Sequence, residues 1–76
     1  MKYIRTKDWG FYTFPTRVPH RDFALDNYIA KEDIASAGYV SDGKCCGRSV
    51  SLGLMAQPND TEDLRKQMGI TLEVDK

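Results

Sequence analysis

Three groupings of side chains in this sequence could carry chemistry. They are the doubled cysteine Cys45-Cys46, the pair His20-x-Asp22, and a stretch in which Lys2, Arg5, Lys7 and Arg17 are interleaved with Tyr3, Trp9, Phe11, Tyr12 and Phe14. Cysteines next to each other on a strand point to opposite faces, so they cannot jointly grip one tetrahedral metal ion. A zinc site would want a spaced C-x-x-C pair and further ligands, and His20 is the only histidine of the chain. The expectation is one cysteine packed as a small core residue and one facing outward, with no metal and no other cofactor. A ring disulfide, or a disulfide to a second copy, is the minor alternative.

His20 and Asp22 would suit an acid–base pair in which a carboxylate orients an imidazole. At i and i+2 of a helix, however, the two side chains do not face each other. At a helix start, His20 or Asp22 is expected to be capping or solvated. No second nucleophile, glycine-rich phosphate loop or spaced carboxylate pair accompanies it, which argues against an enzyme.

Basic and aromatic side chains on one sheet face can bind a single nucleic-acid strand through phosphate contacts and base stacking. The competing reading places the aromatics in the core and the cations in solvent, and the lack of an RNP-like motif favours it. The same residues suit a protein partner, since Trp and Arg are enriched at interface hot spots. Arg5, Trp9, Phe11, Arg17, His20 and Arg21 are therefore the expected partner-binding residues, with Trp9 as anchor.

The elements that must position these groups fit one domain, residues 1–76. At this size apolar burial and chain entropy nearly cancel, so good packing or a partner is needed. Eleven basic residues balance eleven acidic ones. A neutral surface repels its own copies weakly, which leaves a homodimer open. Charge is uneven along the chain: residues 1–21 carry +4 and the remainder −4. Such a dipole steers partners without declaring nucleic-acid binding. The first residues lack the apolar core of a signal peptide, and no run is long enough to span a membrane. With free cysteines, the expectation is a cytoplasmic protein.

Asp33 to Leu54 is the organising stretch. Strand-like runs, Ile34 to Val40 and Lys44 to Leu54, flank Ser41-Asp42-Gly43, a strong hairpin signal because Gly takes the positive φ of a primed turn. Ala35, Ala37 and Tyr39 should share one face. On the second arm, Cys46, Val50, Leu52 and Leu54 share a parity broken at Arg48, where Gly47 could mark a bulge. Lys2 to Thr6 and Trp9 to Phe14 read as an earlier hairpin that ends at Pro15. His20 to Ile29 reads as a short helix with Leu25, Tyr28 and Ile29 at helical spacing and Ala24 beside them. Asn59 and Glu62 form a capping-box pattern for a second helix that Gly69 stops. On that helix Thr61, Leu64, Arg65 and Met68 share the docking stripe. Ile70, Leu72 and Val74 alternate as a closing strand. The order is β-β-α-β-β-α-β, an α+β domain with two short helices on one face of a mainly antiparallel sheet.

Ser36-Ala37-Gly38-Tyr39-Val40, Gly47-Arg48-Ser49-Val50-Ser51-Leu52 and Gln57-Pro58-Asn59-Asp60, preceded by His20-x-Asp22-x-Ala24, resemble a pattern in small uncharacterised proteins encoded by bacteriophages and prophages. The resemblance covers roughly residues 18–68, and the doubled cysteine and the aromatic N-terminal hairpin are not part of the pattern. It implies a setting, an infected bacterial cytoplasm, and carries over no catalytic residue. The expected function is that of a phage-type binding protein that inhibits or modulates a host protein or complex, such as a defence complex, by occupying a surface. The alternative is a small nucleic-acid-binding or nucleotide-sequestering module using the basic–aromatic hairpin.

Overall fold

A computed structural model of the chain describes residues 1–8 and 10–68. The strand expected over Ile70–Val74 and the anchor residue Trp9 lie outside the described residues. The elements are β1 (Lys2–Thr6), β2 (Phe11–Phe14), α1 (His20–Asp26), a 3-10 turn at Lys31–Asp33, β3 (Ile34–Ser41), β4 (Lys44–Cys46), β5 (Arg48–Ser49), β6 (Leu54–Met55) and α2 (Asp60–Met68). The chain is a small α+β domain whose main sheet is antiparallel, in the order β2-β1-β3-β4.

β1 sits inside the sheet because it pairs on both edges. Ile4 lies opposite Tyr12 on one side and opposite Ala37 on the other. Strand alternation then sends Ile4 to one face, with Phe14 and Ala37, and Tyr3 and Arg5 to the other. The first face carries the core of Ile4, Phe14, Ala24, Ile34, Ala37 and Leu52, with Phe23 and Ile29 packed against it. α1 covers this face through Ala24. α2 covers the opposite face, where Asp60 meets Tyr3 and Arg5. The helices thus lie on both faces of the sheet, not on one as the sequence suggested. The reason is that β1 and β3 bury side chains of both parities: Tyr3 and Ile4, Ser36 and Ala37 are all fully buried.

The central turn forms as expected. Ser41 pairs with Lys44 around Asp42 and Gly43, at φ +53° and +75°. Both positive angles are those a type I′ turn requires. The second arm does not run to Leu54 as one strand. Gly47, at φ +74°, turns the chain out of the sheet, and Arg48 begins a separate two-stranded hairpin with β6. An added Cβ at Gly47 would stand 3.2 Å from the Tyr39 ring, so the glycine allows both the angle and the approach.

Candidate functional site

α1 is shorter than its periodicity suggested. Its end is a Schellman motif: Ile29 N–H donates to the Ala24 carbonyl at 2.8 Å and Tyr28 N–H to the Leu25 carbonyl at 3.2 Å. That geometry needs a left-handed residue after the cap, and the residue there is Tyr28, at φ +58°. A tyrosine in this region carries steric strain that glycine would avoid. The docked face is His20, Phe23, Ala24 and Ile29, so of the expected set Ala24 and Ile29 turn inward and Leu25 and Tyr28 do not. Tyr28 projects into solvent at 97% exposure and Leu25 at 63%, while Ile29 is half-buried.

Leu25 and Ile29 border a groove of about 320 Å³, floored by Ala24 and Leu52 and lined also by Arg21, Lys31 and Ser51. The β5–β6 hairpin that supplies Leu52 also borders a second groove of about 400 Å³, with Val50, Leu54, Met55 and Arg48 in its lining. Val50 is 82% exposed. Gly53, at φ +69°, and the Ser49 side chain, which accepts the Leu52 N–H at 3.2 Å, fix the turn between β5 and β6.

The residues expected to bind a partner are divided by the fold. Arg5 turns to α2, where its Nε donates to Asp60 at 2.9 Å and its Nη1 lies 3.4 Å from Asp63. Phe11 stacks on Tyr3 with ring centres 5.1 Å apart. Arg17 and Arg21 are exposed on the connector and on α1. His20, expected to be capping or solvated and to contact a partner, is only 2% exposed and can do neither. Its Nε2–H donates to the Gly38 carbonyl at 2.8 Å, and its ring meets Phe14 and Tyr39 edge-on. Burial holds its pKa below the ordinary histidine value, and the nearby Lys2 charge adds to this. Asp22 is exposed, so the two residues form no acid–base pair.

Cys45 and Cys46 do face opposite ways. Cys45, half-buried opposite Val40, lies under α2, and its N–H donates to Thr61 Oγ1 at 2.9 Å. Burial pushes its thiol up to about 11, with the Asp60 charge adding to the shift. Cys46 is exposed. Among the described residues no three His, Cys, Asp or Glu side chains come together as a metal site.

Asp60 is the polar centre of the α2 face. It is fully buried and accepts from the Tyr3 hydroxyl, from Arg5 Nε and from the Gln57 N–H at 2.8 Å. Burial, reinforced by Asp60, raises the Tyr3 pKa far above the usual phenol range. The expected capping box gives way to this clasp: Gln57 N–H binds Asp60, and Asn59 contributes its backbone carbonyl to Asp63. The docking stripe shifts with it, to Asp60 and Leu64 with Thr61 and Asp63 half-buried beside them, and Arg65 is exposed. Both carboxylate oxygens of Asp60 are engaged by these donors, which ties α2 to β1.

Comparison with protein-family models, with curated proteins and with solved structures gives no match for this chain.

Proposed function

We propose that the chain is a small binding protein, not an enzyme, that inhibits or redirects a partner protein by occupying part of its surface. The observation that carries this reading is Tyr28. An almost fully exposed aromatic is held in a strained left-handed conformation, in the chain between Leu25 and Ile29, which line a groove. Strain of this kind persists where the surrounding structure enforces it, and it clusters at binding sites. The Schellman hydrogen bonds supply the enforcement, and Leu25 extends the apolar area. Exposed aromatic anchors of this type commonly dominate interface energy. The resemblance to phage-encoded proteins gives the setting, a host protein or complex in a bacterial cytoplasm. Among the described residues no helix is long and apolar enough to cross a membrane.

The test is affinity capture from bacterial lysate, with and without nuclease, using the wild-type chain and Tyr28→Gly. The expected result is a protein retained after nuclease by the wild type and released by the variant. Equal capture by both would remove Tyr28 from the interface. Capture that disappears with nuclease would favour the nucleic-acid-binding alternative.

A further inference from the structure

We infer that β2 is an interface with a second copy of this chain, the two strands pairing antiparallel about Tyr12 and joining two four-stranded sheets into one. The outer strands of the sheet are β2 and β4, and their edges differ. On the β4 edge, α2 closes the ladder, since Cys45 N–H donates to Thr61 Oγ1 at 2.9 Å. The direction of the β2 groups follows from β1. Thr6 N–H donates to the Gly10 carbonyl on the β2 side, whereas Lys7 N–H donates to Asp33 and the Met1 carbonyl accepts from Val40 on the β3 side. Successive residues of a strand bond to alternate sides. The hydrogen-bonded pairs of β1 and β2 are therefore Ile4 with Tyr12 and Lys2 with Phe14. The N–H and C=O groups of Phe11 and Thr13 point away from β1, and among the described residues no group meets them.

Open edges are usually blunted by a charged side chain, a proline or a bulge. Phe11-Tyr12-Thr13-Phe14 holds none of these, and its register with β1 is unbroken. The same strand is the occupant because β2 is complementary to itself. With a two-fold axis at Tyr12, Phe11 meets Thr13 of the second copy and Thr13 meets its Phe11, each pair exchanging both hydrogen bonds. Tyr12 then lies opposite its own copy at a non-hydrogen-bonded site, where side chains approach most closely. Its ring, 39% exposed, gains a cross-strand aromatic partner. β2 carries no charge and the chain as a whole is neutral, so two copies meet little repulsion. None of these residues lines either groove. The pairing and the capture through Tyr28 can therefore succeed or fail separately.

The experiment is sedimentation of the full chain from micromolar to millimolar concentration, paired with amide hydrogen exchange. The expected result is a monomer–dimer equilibrium, with protection of the Phe11 and Thr13 amides that grows with concentration. Thr13→Pro deletes an outward donor without removing a bond inside the sheet. It should raise the dissociation constant by about tenfold or more, because the axis counts the lost donor twice. Tyr12→Lys and Tyr12→Glu each set like charges across the axis, so either variant alone should be monomeric. An equimolar mixture of the two should form a heterodimer. Circular dichroism checks that each variant folds, and recovery in the mixture shows that both keep the edge. A chain that stays monomeric at millimolar concentration would overturn the inference. So would amides protected equally at every concentration, which would mean an edge covered within one chain. A dimer indifferent to Thr13→Pro and to both Tyr12 variants would place the interface elsewhere, and a mixture that stays monomeric would overturn the register about Tyr12.

Discussion

Tyr28, Asp60 and His20 are three residues whose surroundings differ from what their types suggest, and each supports a measurement. Replacing Tyr28 with Gly removes left-handed strain and should stabilise the fold by about 1 kcal/mol, read as a higher urea midpoint. A tyrosine whose removal stabilises the protein yet abolishes capture would have been kept for contact. Asp60→Ala leaves Arg5 facing α2 without its main partner and the Tyr3 hydroxyl without an acceptor. Breaking a buried pair in this way should cost about 3 kcal/mol or more, measured by urea unfolding. An unchanged midpoint would show that α2 docks without the clasp. For His20 the sign follows from burial of the neutral ring. The unfolded imidazole titrates near ~6.5, and the folded one titrates lower. Above the unfolded value both states are neutral and stability is full. As pH falls, the unfolded chain gains the proton first, so stability declines until the folded value is passed. The melting temperature should therefore fall as pH drops through roughly 6.5, and His20→Asn should lack that part of the slope. The same slope in the variant would exclude His20 as its source.

Elements were legible where a local rule specifies them. The Asp42-Gly43 turn needs positive φ at two consecutive residues, and a short polar residue followed by glycine announces that. Gly43→Val should then lower the melting temperature markedly, because a β-branched residue resists φ near +75°; an unaltered melt would show that the turn tolerates other geometries. The α+β class and the first hairpin were likewise readable from strand patterning. Two features were not. The end of α1 was hidden because its left-handed position is filled by tyrosine, so no glycine marked the stop. The break after β4 was half visible: Gly47 read as a bulge, but nothing local says that a glycine redirects a strand out of the sheet instead of kinking it. The candidate surface was missed for the same reason. Tyr28 and Leu25 have helical spacing that assigns them to the core, but the early Schellman stop turns Tyr28 outward and Leu25 lies on the solvent side of a helix docked through His20 and Ala24. The basic–aromatic stretch, conversely, looked continuous in sequence. Strand alternation sent Arg5 and Phe11 to the α2 face, whereas Arg17 lies on the connector and Arg21 on α1.

For the whole molecule, what matters is that β1 is an interior strand whose partner β3 comes much later in the chain. Ile4 pairs with Ala37 and Arg5 with Ser36, so the main sheet closes through non-local contacts. Folding limited by such pairing is expected in milliseconds to seconds, not microseconds. Stopped-flow refolding should show one phase in that range, slowed by Ile4→Val and little changed by Val50→Ala. A microsecond phase that recovers the full signal would contradict it. The same connectivity bears on synthesis. At roughly 5–20 residues per second, the ribosome needs about two to seven seconds to go from Ile4 to Ala37. During that interval β1 can pair with β2 alone, and its second edge has no strand to pair with. Lys2, Arg5 and Lys7 bracket Tyr3 and Ile4. Charges placed beside an apolar segment act as gatekeepers against pairing between chains. Two of these cations later take fixed places in the fold, Lys2 on the Val18 carbonyl and Arg5 on Asp60. The nascent strand is thus guarded by side chains that the finished domain goes on to use.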